Sequence, residues 1–290
     1  MPKALVLGGR NGLLGQALME ALKSAGTWEV AAPDPGRINY FSSSLHAELS
    51  ALTDGLEPDC IFNAAAYTDV EGAEEHEDEA AAMNRALPAC LARVVDSRPV
   101  RLIHFSTDFV FDGRKNTPYT TDDQPNPLSV YGRTKLAGEQ AIQERAPAGY
   151  AIIRTAWMFG RGKKNFIQSI LNICRAQGEA RVVFDQIGSP TYAADLAQHA
   201  VTLAELEGSG IFHIVNSGQA SWCDLAAEAV NCSQVECRVT PITSAERPSK
   251  AERPAYSVLD CSRFTNMTGR TPRAWPQALR EYLMLENSGL

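Results

Sequence analysis

The sequence predicts an α/β chain built on a parallel sheet, with a smaller second lobe sharing one cleft with it. Three observations carry this prediction. A strand, a glycine turn and a helix follow one another within the first 25 residues; strand-like and helix-like segments then alternate as far as residue 157; beyond that the alternation loosens. At 290 residues the chain is long enough for a full core, and it carries no internal repeat, low-complexity tract or flexible linker.

Lys3 to Gly8 is a short apolar run. It leads into Gly9-Arg10-Asn11-Gly12-Leu13-Leu14-Gly15 and then into a helical pattern carried by Leu14, Leu18, Leu22 and Ala25. Gly9 would permit the tight turn, Gly12 would let the backbone approach a pyrophosphate at the helix N-terminus, and Gly15 would let the helix pack closely on the strand. A plain strand-to-helix turn is the alternative. Glu29 to Ala32 reads as the second strand. Asp34, just past its end, either holds an adenosine ribose or simply sits in the turn Pro33-Asp34-Pro35-Gly36. Arg10, with Arg37 nearby, offers positive charge where a 2′-phosphate would sit, which tilts the cofactor toward NADPH, with NADH as the alternative.

Asp59 to Tyr67 is an apolar strand running into a small-residue turn. Ala64, Ala65 and Ala66 would let a flat cofactor lie against the backbone, or would merely pack a strand end closely. The acidic run Glu71 to Glu79 reads as a solvated loop and helix start, and Ala80 to Val95 as one long helix. Val100 to Phe105 is the next buried strand, ending in Ser106-Thr107-Asp108. Hydroxyls at the C-terminal end of a parallel strand sit where such sheets bind ligands, so Thr107 could reach a substrate carbonyl; a cap or turn is the other role for it.

Ala148 to Arg154 reads as a strand, and Trp157 beyond it is either a core aromatic or a flat surface for a sugar or base. Helices are then expected over Lys164 to Ala176, Ala193 to Leu206, Trp222 to Val230 and Pro276 to Leu285. Strands are expected over Arg181 to Phe184, Gly210 to Val215 and near Arg238 to Pro241, the second of these returning to the main sheet.

A net charge of -7 argues against a nucleic-acid groove. No apolar run approaches the roughly 18 residues of a membrane span, and Met1 to Gly8 is too short for a signal peptide, so the expectation is a cytoplasmic protein with no membrane partner. The seven cysteines, at 60, 90, 174, 223, 232, 237 and 261, include no Cys-x-x-Cys pair and no neighbouring His cluster. They read as reduced, mostly buried thiols rather than disulfide partners or metal ligands.

The stretch Ser129-Val130-Tyr131-Gly132-Arg133-Thr134-Lys135-Leu136-Ala137-Gly138-Glu139 sets a phenol and an ammonium one helical turn apart. A free tyrosine, with a pKa of about 10, exchanges protons poorly near neutrality, and a neighbouring cation favours its phenolate. Lys135 could supply that charge for Tyr131. By itself Tyr-x-x-x-Lys is also a common solvated helix face.

Taken in order, the glycine turn, Asn63-Ala64-Ala65-Ala66, Ser106-Thr107-Asp108 and Tyr131-x-x-x-Lys135 resemble an extended short-chain dehydrogenase/reductase. Asn63 to Thr68, Ser106 to Gly113, Pro127 to Lys135 and Arg154-Thr155-Ala156-Trp157 together resemble the dTDP-4-dehydrorhamnose reductase family over nearly the whole chain. The resemblance implies an α/β Rossmann-type doubly wound parallel sheet (residues 1–157 and 192–215) with a smaller C-terminal α/β substrate lobe (158–191 and 216–290). It implies NAD(P)H-dependent reduction of the 4-keto group of a dTDP-linked 6-deoxyhexose, giving dTDP-L-rhamnose. Tyr131 would be the general acid, Lys135 would hold the nicotinamide ribose, Thr107 and Asp108 would touch the sugar, and Trp157 would lie against the substrate. Arg253 matches a basic position near the nucleotide phosphates.

Two departures from the family pattern matter. At the second cofactor turn, where some relatives carry an acid, this chain has Tyr40-Phe41, which leaves the adenine-side contacts open. Some members dimerise through a magnesium site that needs a glutamate shortly after the third glycine; here that position is Ala17. No metal and no metal-bridged dimer are therefore expected, while monomer and homodimer both stay open. A second reading keeps the fold and loses turnover, as in relatives that serve as the non-catalytic partner of methionine adenosyltransferase. The intact Tyr131 and Lys135 count against it. A third is a reductase or epimerase of another nucleotide sugar.

Overall fold

The architecture follows from a sheet that is buried on both faces. In β1 (Lys3–Leu7), Ala4 and Val6 point into one core while Leu5 and Leu7 point into another, so alternate residues of one strand are all apolar. The computed structural model describes residues 1–34, 36–145 and 149–287; Pro35 and Ala148, the latter at the start of the expected fifth strand, lie outside the described residues.

After β1 come α1 (Leu13–Ala25), β2 (Glu29–Ala31), α2 (Leu45–Leu56), β3 (Cys60–Asn63), α3 (Val70–Ala73) and α4 (Glu77–Ala81). A π-turn (Ala82–Ala86) leads directly into α5 (Leu87–Asp96), β4 (Arg101–Thr107), α6 (Val130–Arg145) and β5 (Tyr150–Thr155). The rest is β6 (Met158–Phe159), α7 (Phe166–Gln177), β7 (Glu179–Val183), β8 (Ile187–Gly188), β9 (Thr191–Tyr192), α8 (Ala193–Glu205), β10 (Gly210–His213), β11 (Ala220–Ser221), α9 (Trp222–Ser233), β12 (Arg238–Ile242), α10 (Ser262–Thr268) and α11 (Trp275–Asn287).

Six strands form one sheet in the order β10-β5-β4-β3-β1-β2, every pairing parallel. The expected return of the 210–215 segment to this sheet is what β10 does, pairing with β5. Leu14, Leu18 and Leu22 of α1 and Leu196 and Ala200 of α8 cover one face. The other is covered by Leu49 of α2, Leu91 and Val95 of α5 and Ile142 of α6. Because β2 lies on one side of β1 and β3 on the other, the chain reverses direction across the sheet at β1, and the crevice beyond β1 and β3 is where such sheets take ligands.

A second core is built by α7, α9, α11 and β7, with Leu171, Val182, Leu225 and Leu279 among its buried residues. Phe264 of α10, although late in the chain, packs into the first core under the main sheet. Neither α2 nor α10 was expected from the sequence. No helix among the described residues is long and apolar enough to cross a membrane.

Two expectations need correction. The helix expected over 80–95 is interrupted by the π-turn, which turns Asn84 fully inward. The cysteines are not all free: Cys174 and Cys237 form a disulfide with Cα atoms 5.2 Å apart. The cause is tertiary. The Arg238 N–H donates to the Gly178 carbonyl at 2.9 Å as β12 joins β7, and this lays Cys237 beside the last turn of α7. Nothing local in a pair 63 residues apart announces that pairing.

Candidate active site

The turn after β1 is a backbone cradle. Gly8 adopts the left-handed conformation at φ +78°, and a Cβ there would stand 3.1 Å from the Ala64 carbonyl and the Ala65 nitrogen. Gly9 lies in the turn as expected but has no positive φ, and it fits a crowded place beside Ala32 and Met19. A Cβ on Gly15 would lie 2.1 Å from the Gly8 carbonyl oxygen, so α1 can come this close only with glycine at that position. Gly12 caps α1, donates to the Gly8 carbonyl at 3.0 Å and adds no side chain. The first turn of α1 carries no acid, so its free N–H groups and the positive end of its dipole are suited to a diphosphate. Leu14 is buried, Leu13 is half-buried, and Asn11 is exposed. Across the turn, Ala65 is buried, with Ala64 and Ala66 half-buried beside it.

Arg10 and Asp34 meet each other at the rim. Their ion pair spans 3.0 Å and is open to solvent, with 53% and 72% of the two side chains exposed. Tyr40 and Phe41 part ways: Tyr40 packs against the core under α2, whereas Phe41 is exposed.

The catalytic candidates converge at the end of β4. Thr107 accepts the Phe109 N–H at 3.2 Å and donates to Asp108 Oδ1 at 3.1 Å. Asp108 is buried, and its Oδ2 accepts the Ser257 hydroxyl at 2.6 Å. Helix α6 is set over this strand end by four contacts. Ser129 caps it, accepting the Gly132 N–H at 3.1 Å; Glu74 accepts the Val130 N–H at 2.8 Å; Asn84 donates to Thr134 at 3.2 Å; and Glu139 takes Arg154 of β5 in a two-pronged, fully buried ion pair with bonds of 3.0 and 2.7 Å. Asn84 also exchanges two hydrogen bonds with the backbone of Tyr67, tying the turn after Ala66 to α6. The acidic run is thus not simply solvated: Glu74 anchors α6, and Glu71 and Glu75 hold cations of the far lobe.

Tyr131 stands edge-on to Phe109 with ring centroids 5.6 Å apart. Burial pushes its phenol up to about 12, the Thr107 hydrogen bond pulling the other way and the Asp108 charge adding to the rise. Lys135 supplies none of the expected lowering, because the groups that act on the phenol are Thr107 and Asp108. Lys135 is itself buried, donates to the Phe105 carbonyl at 2.6 Å, and is drawn down to about 8 by burial, with Glu139 opposing. Burial likewise raises Asp108 to about 6 against the hydrogen bonds from Ser257 and Thr107.

In the second lobe a cavity of about 520 Å³ is lined by Phe166, Trp222, Arg247 and Arg253, with Glu71 reaching it from α3. Arg253 pairs with Glu71 at 2.8 Å. Trp157 stacks on Trp222 at 3.6 Å, nearly parallel, so Trp222 presents aromatic surface to the cavity and Trp157 supports it. Trp157 has φ +45°, a left-handed backbone that costs a bulky residue about 1–3 kcal/mol and that persists here under the stack. The sequence reading missed Gly8, Asn84, Phe166, Trp222, Arg247 and Ser257. Gly8 adjoins the glycine pattern and was within reach; the others carry no local signature.

The RmlD substrate binding domain family matches residues 3–287. The spore coat polysaccharide biosynthesis protein SpsK of Bacillus subtilis is 37% identical over 289 residues, covering 99% of both chains. A dTDP-4-dehydrorhamnose reductase of Sinorhizobium fredii is 36% identical over 287 residues and 95% of both chains. The solved dTDP-4-dehydrorhamnose reductase of Bacillus anthracis, in complex with NADP, superposes with a TM-score of 0.92 at 29% identity, over 98% of this chain and 99% of that one. With the family model spanning nearly the whole chain and relatives above 30% identity over 95% or more of their length, the chain belongs to the RmlD substrate binding domain family of extended reductases.

Proposed function

We propose that this chain reduces the 4-keto group of a dTDP-linked 6-deoxyhexulose, converting dTDP-4-dehydro-L-rhamnose to dTDP-L-rhamnose with NADPH. The observation that carries the reading is the convergence of Thr107, Asp108, Tyr131 and Lys135 on one strand end, between a glycine cradle and an arginine-lined cavity.

The cradle fits a dinucleotide: Gly8 and Gly15 leave room that a Cβ would fill, and α1 presents unoccupied N–H groups. Bound there, the cofactor supplies the hydride. Lys135, one turn below Tyr131, holds the nicotinamide ribose, and Arg10 at the rim meets a 2′-phosphate. Ala64, Ala65 and Ala66 let the adenosine half lie against the backbone. Thr107 and Asp108 hold the sugar so that its carbonyl oxygen faces Tyr131. As that oxygen gains charge, the phenol donates its proton to it, and the carbonyl becomes an alcohol. Arg253 and Arg247 take the diphosphate of the substrate, with Trp222 and Phe166 as flat surfaces for its base. The working division is the dinucleotide-binding domain over 1–157 and 192–215 and the substrate lobe over 158–191 and 216–290.

The test is oxidation of NADPH, and separately of NADH, by purified protein supplied with dTDP-6-deoxy-L-lyxo-4-hexulose. Turnover with NADPH sustains the proposal. Tight NADPH binding with no turnover on this or related keto sugars, and capture of a methionine adenosyltransferase in its place, would replace it with the regulatory reading.

A further inference from the structure

Ser257 is a buried hydroxyl that no part of the scheme above uses. It is 1% exposed, lies 149 residues from its partner, and makes a hydrogen bond of 2.6 Å to Asp108. Its own backbone is clamped. The Ser257 N–H donates to the Ile187 carbonyl at 2.8 Å, the Ile187 N–H donates to the Ala255 carbonyl at 2.8 Å, and the Tyr119 N–H donates to the Val258 carbonyl at 2.8 Å. Four residues earlier the same segment carries Arg253 at the cavity. This bridged segment of the substrate lobe therefore delivers one rigidly held hydroxyl to the catalytic turn.

What that hydroxyl does follows from counting hydrogens. The Thr107 oxygen already accepts the Phe109 N–H, and its single hydrogen points at Asp108 Oδ1, 3.1 Å away. The same hydroxyl is within hydrogen-bonding reach of the Tyr131 phenol. Without Ser257 the buried carboxylate would lean on Thr107 and on the Asp108 and Phe109 N–H groups alone, and would hold the Thr107 hydrogen more strongly. A second donor on Oδ2 relieves that demand.

We propose that Ser257 is a positioning residue: by holding Asp108 through Oδ2, it frees the Thr107 hydrogen to turn to the reacting carbonyl oxygen, beside Tyr131. The inference rests on the reading of Thr107 and Tyr131 as the groups that face the carbonyl. The Tyr131 phenol on α6 is a titratable group that feels the Asp108 charge, while Thr107 of β4 and Ser257 bring hydroxyls to it.

The experiment is steady-state NADPH oxidation against pH for wild type, Ser257→Ala, Asp108→Asn, the double variant and Tyr131→Phe, with NADPH titration and thermal melting of each. Ser257→Ala is expected to lower kcat by about tenfold or more, with NADPH affinity and melting close to wild type. Loss of a hydrogen bond to a carboxylate raises its pKa, so the acid limb of kcat/KM, near pH 6 from Asp108, should move to higher pH. In the Asp108→Asn background, Ser257→Ala should cost almost nothing further. Wild-type kcat and pH profile in Ser257→Ala, with Asp108→Asn and Tyr131→Phe impaired, would overturn the inference alone. So would a fall in kcat with an unmoved acid limb and additive costs. Full turnover in Tyr131→Phe would overturn the underlying reading, and the inference with it.

Discussion

The two walls of the cleft are made differently. The wall on the main sheet is assembled from short runs of neighbours: Gly8 to Gly15, Asn63 to Ala66, Ser106 to Asp108 and Ser129 to Glu139, each at the end of a parallel strand or in the helix beside it. The wall on the second lobe is assembled from Phe166, Trp222, Arg247 and Arg253, with Glu71 of α3 reaching across to it, and the fold gathers these from four separate segments. A parallel sheet delivers all its C-terminal strand ends to one edge, so reactive groups there come as local motifs. A recognition pocket between helices has no such edge, and its residues can be redistributed without disturbing the scaffold. The comparison teaches where chemistry and where specificity should respond to substitution: the sheet wall through kcat, the lobe wall through KM.

The sharpest break is Tyr131→Phe, which removes only the acidic hydrogen from the sheet wall. It should lower kcat by about 10² to 10⁴-fold with NADPH binding kept, measured by steady-state rates and a cofactor titration. Comparable turnover in the variant would move the proton source off Tyr131. The next largest effect is expected from Glu139→Gln. Glu139 and Arg154 are both buried and doubly bonded, and removing one charge leaves the other stranded, so the variant should lose about 3–5 kcal/mol of stability in denaturant unfolding. Because this pair fixes α6 to β5, the loss tests whether the sheet wall depends on burial rather than on surface contacts.

How much of each wall could be read in advance follows the same division. Thr107, Tyr131 and Lys135 stood out because strand-end position and helical spacing are local properties, and the alternation of strand and helix was enough to place them on one edge. Asn84 did not, because a π-turn has no compositional mark and its work is to bond the backbone of Tyr67, 17 residues away. Glu71 was read as part of a solvated acidic run, since its partners Lys250 and Arg253 are supplied only by the folded second lobe. Cys174 and Cys237 were read as thiols for the same reason: their neighbourhood exists only once β12 has paired with β7. Even Lys135 was understood only in part, because its spacing predicted a neighbour for Tyr131 but not the burial that dominates both groups.

Substitution on the lobe wall should read out differently. Arg253→Ala removes a half-buried guanidinium from the cavity and unpairs Glu71, and is expected to raise KM for the nucleotide sugar by about tenfold with kcat within a fewfold of wild type. A fall in kcat at unchanged KM would place Arg253 with the chemistry and erase the contrast between the walls.

The smallest effect is expected at the rim, where Arg10 and Asp34 form an exposed ion pair. Such pairs contribute about 0–1 kcal/mol, so neither Asp34→Ala nor Arg10→Ala should change the melting temperature appreciably. Their effect lies in cofactor choice. Asp34 draws the Arg10 guanidinium to itself and sets a negative charge beside the place a 2′-phosphate would take, so Asp34→Ala should raise the ratio of kcat/KM for NADPH over NADH by roughly two- to fivefold. Arg10→Ala should lower it by a similar factor, with a weaker dependence on ionic strength because an exposed cation no longer attracts the phosphate. An unchanged ratio in both variants would put the pair outside the reach of the cofactor, and the positive charge that selects NADPH would then have to come from another part of the sheet wall, Arg37 being the nearest basic residue in sequence.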